Sequence, residues 1–349
     1  GSKRPDEPDE GGATLSLTLG DVVVDDNTAG GDGGGIYNAA PMTATGLVVS
    51  NNTAITNGGG IYNEADTTIT AATISGNLAE GGGGLFLTGS NTVGINGTTL
   101  SGNRAIGGGA ISGRSSVLVN IVNSTLSSNL AQDVGAGLYS NGTASLRFVT
   151  IANNISGSDS ASAGAGINTF GSQSNPEVAI KNVLLAANLK GWDPVAEPDG
   201  PADPSLLTAA NCGVTGTGTP AIVSSGYNLS SDVSCWNFMY LDTDINNVDP
   251  MIGDLADNGG PTETHALLAG SPAIGAGGAE PDVTVDQRGV TRDTPPDIGA
   301  FELTTAPRTG GGSSGCSIGG TDHGRIDPTL PAVLLAALAL LGWRRRKAR

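Results

Sequence analysis

A glycine run closed by one aliphatic residue recurs six times in this chain: GGGI at 33–36, GGGI at 58–61, GGGL at 82–85, GGAI at 108–111, GAGL at 135–138 and GAGI at 164–167. The aliphatic residues that close these runs are 25, 24, 26, 27 and 29 positions apart. A second phrase keeps the same time, an aliphatic residue three positions before an asparagine. Those asparagines are Asn27, Asn52, Asn77, Asn103, Asn129, Asn154 and Asn188. Two phrases locked to one period mean stacked repeats. The period is too short for two packed helices and suits one coil of a parallel β-helix. The expected fold class is therefore all-β, a right-handed parallel β-helix built as a solenoid of coils of about 25 residues.

Strand alternation assigns the columns. Val24, Val49, Ile74, Leu100, Leu126, Ile151 and Leu185 precede the asparagines by three and are expected to face inward. The residues just before them, Val23, Val48, Thr73, Thr99, Thr125, Thr150 and Leu184, are then expected on the exposed outer face. The asparagines fall where each strand must turn. Asn tolerates left-handed backbone and bonds neighbouring main chain, and stacked carboxamides can form a ladder. Ala29, Ala54, Ala79, Ala105 and Ala131 follow two residues later and suit a tight inward corner.

Glycine at 56 residues of 349 with 4% aromatics would suit a disordered chain if there were no period. The formal net charge is −17 and is unevenly spread. Residues 1–307 hold 9 bases and 31 acids, whereas the last 42 residues hold 7 bases and 2 acids. An acidic body argues against nucleic acid as a partner.

In chain order, 1–12 read as a disordered acidic leader without the apolar stretch of a signal peptide. Residues 13–190 are the repeat body. It has 10 acids, 5 bases and neither histidine nor cysteine, so a catalytic triad or zinc site finds no ligands within it. Its only adjacent carboxylates are Asp25 and Asp26, with Asp32 nearby. The equivalent pairs below are Ser50-Asn51, Ser75-Gly76 and Ser101-Gly102, so no acidic stack continues down the face. These aspartates are expected to be a solvated edge, not a catalytic site. The sequons at Asn96 and Asn141 are read as incidental to an Asn/Thr-rich repeat. The Thr73, Thr99, Thr125, Thr150 rank raises one alternative, an ice-binding face, but it lacks a paired neighbouring rank.

The pairing of GG[AG][IL] with a strand ending in an asparagine resembles the repeats of polymorphic outer-membrane proteins and related right-handed parallel β-helices. Residues 191–306 break the period and become acidic, with 17 acids against Arg288 and Arg292. Their ordered phrases are GYNL at 226–229, Asp249-Pro250, LADNGGPTETHALLAGSPAIGAG at 255–277, DQRG at 286–289 and DIGAFE at 297–302. This set resembles the choice-of-anchor Q domain, which implies a segment that continues and caps a β-helical surface protein. Gly275 stands where that resemblance implies an aspartate.

Cys212 and Cys235 are 23 residues apart in a chain that reads as exported. They are expected to form a disulfide, worth about 3 kcal/mol on the loop-entropy argument; two free buried thiols are the alternative. Asp242, Asp244, Asn246 and Asp249 have the oxygen-ligand spacing of a weak calcium loop, without its turn glycine and terminal Glu. Calcium is the one cofactor this pattern admits. His265 has no partner histidine and is expected to be structural. Asp286, Arg288 and Arg292 are expected to make ion pairs within the cap.

Residues 307–327 read as a Gly/Ser-rich tether and 328–349 as a short transmembrane anchor with a basic end. The apolar run 330–343 would span about 21 Å as a helix, short of the ~30 Å bilayer core. Trp343 and the following arginines suit an interface anchor that stays cytoplasmic. GCSI, DPTLP and RRR in this order resemble the JDVT-CTERM sorting signal, with kinship to MYXO-CTERM. That resemblance implies an exported bacterial surface or outer-envelope protein whose C-terminal helix sits in the inner membrane before processing. It also makes Cys316 a candidate for cleavage or lipid attachment.

The expected function is a non-enzymatic surface protein, an adhesin or envelope structural element. The alternative is a polysaccharide-binding or polysaccharide-degrading β-helix of the pectate-lyase-like class, which needs clustered carboxylates on one face. Expected partners are the membrane, a sorting protease, and a surface glycan or a host or neighbour-cell protein, with no nucleic acid.

Overall fold

The computed structural model describes residues 15–114, 116–171, 177–194, 196–197, 200–216 and 221–304. The leader 1–12, the tether 307–327, the anchor 328–349 and Cys316 lie outside the described residues.

The repeat folds as an all-β parallel solenoid. Each coil contributes one strand to each of three long parallel sheets. The first sheet has eight strands, from Leu17–Gly20 through Thr67–Thr70 and Thr92–Asn96 to Ala221–Ser224. The second has nine, from Val23–Asp25 through Thr125–Ser127 to Ile245–Asn246. The third has seven, from Ile36–Asn38 to Cys212–Gly216. Short pairs such as Arg104–Ala105 and Leu130–Ala131 form a narrow fourth side. The register is in phase with the sequence period: Val49 pairs with Ile74, Ile74 with Leu100, and Leu100 with Leu126.

Each coil places its inward residue on top of the last. Val49, Ile74, Leu100, Leu126, Ile151 and Leu185 are fully buried in one continuous core with Ile61, Leu85, Ile111 and Ile95. Each such side chain stabilises by roughly 1.5–3 kcal/mol through burial. The glycine runs meet two separate demands. Gly58 adopts φ +66°, where a side chain is strained, and a Cβ on Gly59 would lie 2.5 Å from the Leu78 carbonyl oxygen of the next coil.

The stack ends in a plug. Residues 232–241 turn across the C-terminal end, and Cys235, Phe238 and Met239 pack against the core. From about residue 250 the chain leaves the stack and runs back along the outer face of the second sheet. There it forms an antiparallel pair, Ile252–Ala256 with Thr264–Leu267. Ile298, Phe301 and Leu267 form a second apolar cluster with Leu184 and Ala152 of that sheet.

This docking corrects one expectation. The outer column of the second sheet points outward but is not solvent-exposed along its length. Val23 in the first coil is 67% exposed, whereas Thr99, Thr125, Thr150 and Leu184 are buried. Thr99 Oγ1 donates to the Glu263 carbonyl at 2.6 Å, Thr125 Oγ1 to Gln287 Oε1 at 2.7 Å, and the Ala300 N–H donates to Thr150 Oγ1 at 3.0 Å. Alternation sets direction only; what covers an outward face is a long-range matter. The same contacts cover Thr99, Thr125 and Thr150, three of the four threonines that raised the ice-binding alternative.

Candidate functional site

The asparagine column forms a hydrogen-bonded ladder with a polarity. Each Oδ1 accepts the side-chain Nδ2 of the asparagine one coil earlier, at 2.8–3.1 Å from Asn27→Asn52 to Asn154→Asn188. It also accepts that residue's main-chain N–H. The second Nδ2 hydrogen goes to an inner-strand carbonyl, as from Asn77 to Val49. The ladder runs one residue past the sequence column, to Asn211, 2.8 Å from Asn188. It stops at Asp232, whose carboxylate accepts the Asn211 N–H at 3.0 Å. A carboxylate suits this end because it accepts without having to donate onward. The shortened spacing of 23 between Asn188 and Asn211 hid this rung from the period.

The candidate carboxylates are not gathered into one centre. Asp25 accepts from Ser50 Oγ and Asn51 Nδ2, at 2.6 and 3.1 Å. Asp32 accepts from Thr56 Oγ1 at 2.5 Å and from the Asn57 main chain and side chain at 3.0 and 2.9 Å. Burial alone would raise the Asp32 pKa, but these bonds outweigh it and hold the carboxyl below its usual range. Asp26 takes a left-handed turn conformation, φ 56°.

In the second set, Asp244 ends another ladder. Its Oδ1 accepts both the N–H and Nδ2 of Asn228 at 3.0 Å, and its Oδ2 accepts from Ser224 Oγ at 2.6 Å. Asn246 donates to the Met239 carbonyl at 2.8 Å, and Asp249 accepts from the Met251 N–H at 2.9 Å. Asp242 is exposed. Among the described residues no group of three or more His, Cys, Asp or Glu is placed to hold a metal ion.

Cys212 and Cys235 form a disulfide with Cα atoms 5.0 Å apart, which ties the plug to the last strand of the third sheet. His265 meets a partner that sequence reasoning missed. Its Nε2 lies 2.9 Å from Ser127 Oγ and its Nδ1 2.7 Å from the Gly253 carbonyl. Nδ1 therefore carries the proton and Nε2 accepts from the serine. Both residues are buried, so this pair fastens the docked segment and presents no nucleophile to solvent.

The arginines of the docked segment act similarly. Arg288 pairs with Asp286 at 2.7 Å and stacks over Phe301. Arg292 pairs with Glu302 at 3.2 Å, lies over Phe148 and donates to Asn123 Oδ1 at 2.9 Å. Burial pushes the Arg292 guanidinium down to about 10 and the Glu302 carboxyl up, so the pair forms against a desolvation cost.

The outer face of the first sheet is different: among the described residues no segment covers it over the first five coils. Thr18, Thr43, Thr45, Thr68, Asn96 and Asn120 are exposed, and the outward residues within the strands from Thr18 to Asn120 are uncharged; Asp66, exposed just before its strand, adds one carboxylate to the lining. The Thr43/Thr68 and Thr45/Thr70 ranks lie side by side in register. Two shallow grooves of about 380 and 340 Å³ cross this face and meet over Thr68 and Gly94.

Comparison with known proteins adds one likeness. The Chlamydia polymorphic membrane protein repeat matches residues 21–39 and 46–64, the turn-and-strand phrases of the first two coils. No curated protein matches the chain, and no solved structure matches it.

Proposed function

We propose that this protein is an exported, non-enzymatic surface β-solenoid, an adhesin or envelope structural element that presents its faces to a partner. The observation that carries this reading is the placement of the carboxylates. Asp25, Asp32, Asp232 and Asp244 each complete a turn or a ladder by accepting protein hydrogen bonds, which leaves them structural. Support for a surface location comes from the match to a membrane-protein repeat in the first two coils and from the disulfide, which persists in oxidising compartments. In this reading 191–306 acts as a choice-of-anchor Q segment, and 307–349 as tether and sorting signal with Cys316 as its processing point.

Two measurements test this. Protease shaving of intact cells should release fragments of 13–306, and a protein confined to the cytoplasm would end the surface reading. Incubation with neutral and acidic polysaccharides, with and without calcium, should yield no new reducing or unsaturated ends. Product formation would replace this reading with the lyase-like one.

A further inference from the structure

We infer that the trough across the open face of the first sheet binds an extended, uncharged polysaccharide chain, with Gly94 as the notch that admits it. The proposal deepens the surface reading by naming a ligand class and a place.

The glycine is the starting point. Gly94 lies mid-strand in Thr92–Asn96, in register with Thr68 on one side and Asn120 on the other. Its backbone is outside the left-handed region, and a Cβ there would meet nothing closer than Thr68 Oγ1 at 3.9 Å. Neither backbone nor packing demands glycine here, in contrast to Gly58 and Gly59. A glycine inside a strand weakens it and marks a place where another group approaches closely. The two grooves join at this residue. One extends past Thr43 toward Pro41, and the other passes Asn96 and Asn120 to end against the docked segment at 282–285.

The lining sets the chemistry. Side chains repeat about every 4.8 Å across coils and about every 6.6 Å along a strand. They offer hydroxyls and carboxamides that both donate and accept, as sugar hydroxyls do. Charges stand at the two ends of the lining: Asp66, which accepts from the Thr92 N–H at 2.8 Å and stays exposed, and Arg147, which is paired with Glu280 and Asp282 at 3.1 and 2.7 Å. An acidic protein whose trough carries the Asp66 carboxylate at one end and a paired Arg147 at the other disfavours polyanions. A peptide would seek a sheet edge, where main-chain groups are free, and this is a sheet face.

The test uses the full chain and a set of soluble neutral polysaccharides (glucans, mannans, xylans and galactans), with polygalacturonate as the polyanion. Wild type should bind at least one neutral polymer. Gly94→Val should leave the melting temperature equal or higher, because valine suits a strand, and weaken binding at least tenfold. Thr68→Val, isosteric and surface-placed, should weaken the same binding and serves if the first variant folds poorly. No neutral ligand, preference for polygalacturonate, unchanged affinity in both variants, or self-association through this face would each overturn the proposal. Cleavage of the bound chain would overturn the non-enzymatic reading and leave the trough standing. Absence of neutral-polymer binding by wild type, with surface display intact, would overturn the trough alone.

Discussion

The imidazole of His265 and the hydroxyl of Ser127, 138 residues apart in sequence, lie 2.9 Å from each other and join the docked segment to the solenoid wall. Burial lowers the His265 pKa, although the Gly253 carbonyl and Asp254 oppose it. A buried neutral histidine contributes stability above its unfolded pKa of about 6.5, and loses it as pH falls toward the lower folded value. Asp297 and Glu302 shift upward through burial and work in the opposite direction. The histidine is therefore isolated by difference. The stability gap between wild type and His265→Asn should shrink between pH 7.5 and pH 5; a constant gap in denaturant melts would remove this role.

The ladder predicts an asymmetry between its middle and its end. Asn129→Ala removes an acceptor used by two donors of Asn103 and leaves buried groups unmet, at about 1–3 kcal/mol for each. Asp232→Asn keeps an oxygen for the Asn211 N–H but turns its NH2 toward the Ser234 N–H and hydroxyl, which the second carboxylate oxygen accepts at 2.8 and 2.5 Å. The hydroxyl can reorient, so the loss should be close to that of one unmet group, smaller than at Asn129. Equal losses in urea unfolding would contradict the polarity described.

Reduction of the Cys212–Cys235 bond, or Cys235→Ser, should destabilise the C-terminal plug by roughly 3 kcal/mol on the loop-entropy argument. Hydrogen exchange should rise in 210–240 and much less in 42–105. Uniform change along the solenoid would show that the ends are not separable.

Ile111→Asp puts a lone charge into the dry centre of the stack and should unfold the middle coils. An unchanged melting temperature would defeat the register.

Much of the solenoid was legible because a parallel stack repeats its local pattern once per coil. The positions of Ile74, Leu100 and Leu126 relative to Asn77, Asn103 and Asn129 carry the strand, the turn and the inward direction in a few adjacent residues. The aspartates that finish the ladders were harder to read. Asp232 and Asp244 act singly, at the end of a column, where no repeat announces them. Asp244 stood in a calcium-like spacing whose members the fold turns to separate tasks.

The sequence by itself determined the coil, because the period, the inward aliphatic residue, the turn asparagine and the glycine run each act within one repeat and pair with their own image in the next. Only the tertiary structure decided which faces stay open. Alternation says that Thr68 and Thr125 both point outward. A single set of non-periodic contacts, through His265, Gln287 and Arg292, buries the second sheet from Thr99 onward under the docked segment and leaves Thr68 and Gly94 on a face that no other described residue covers.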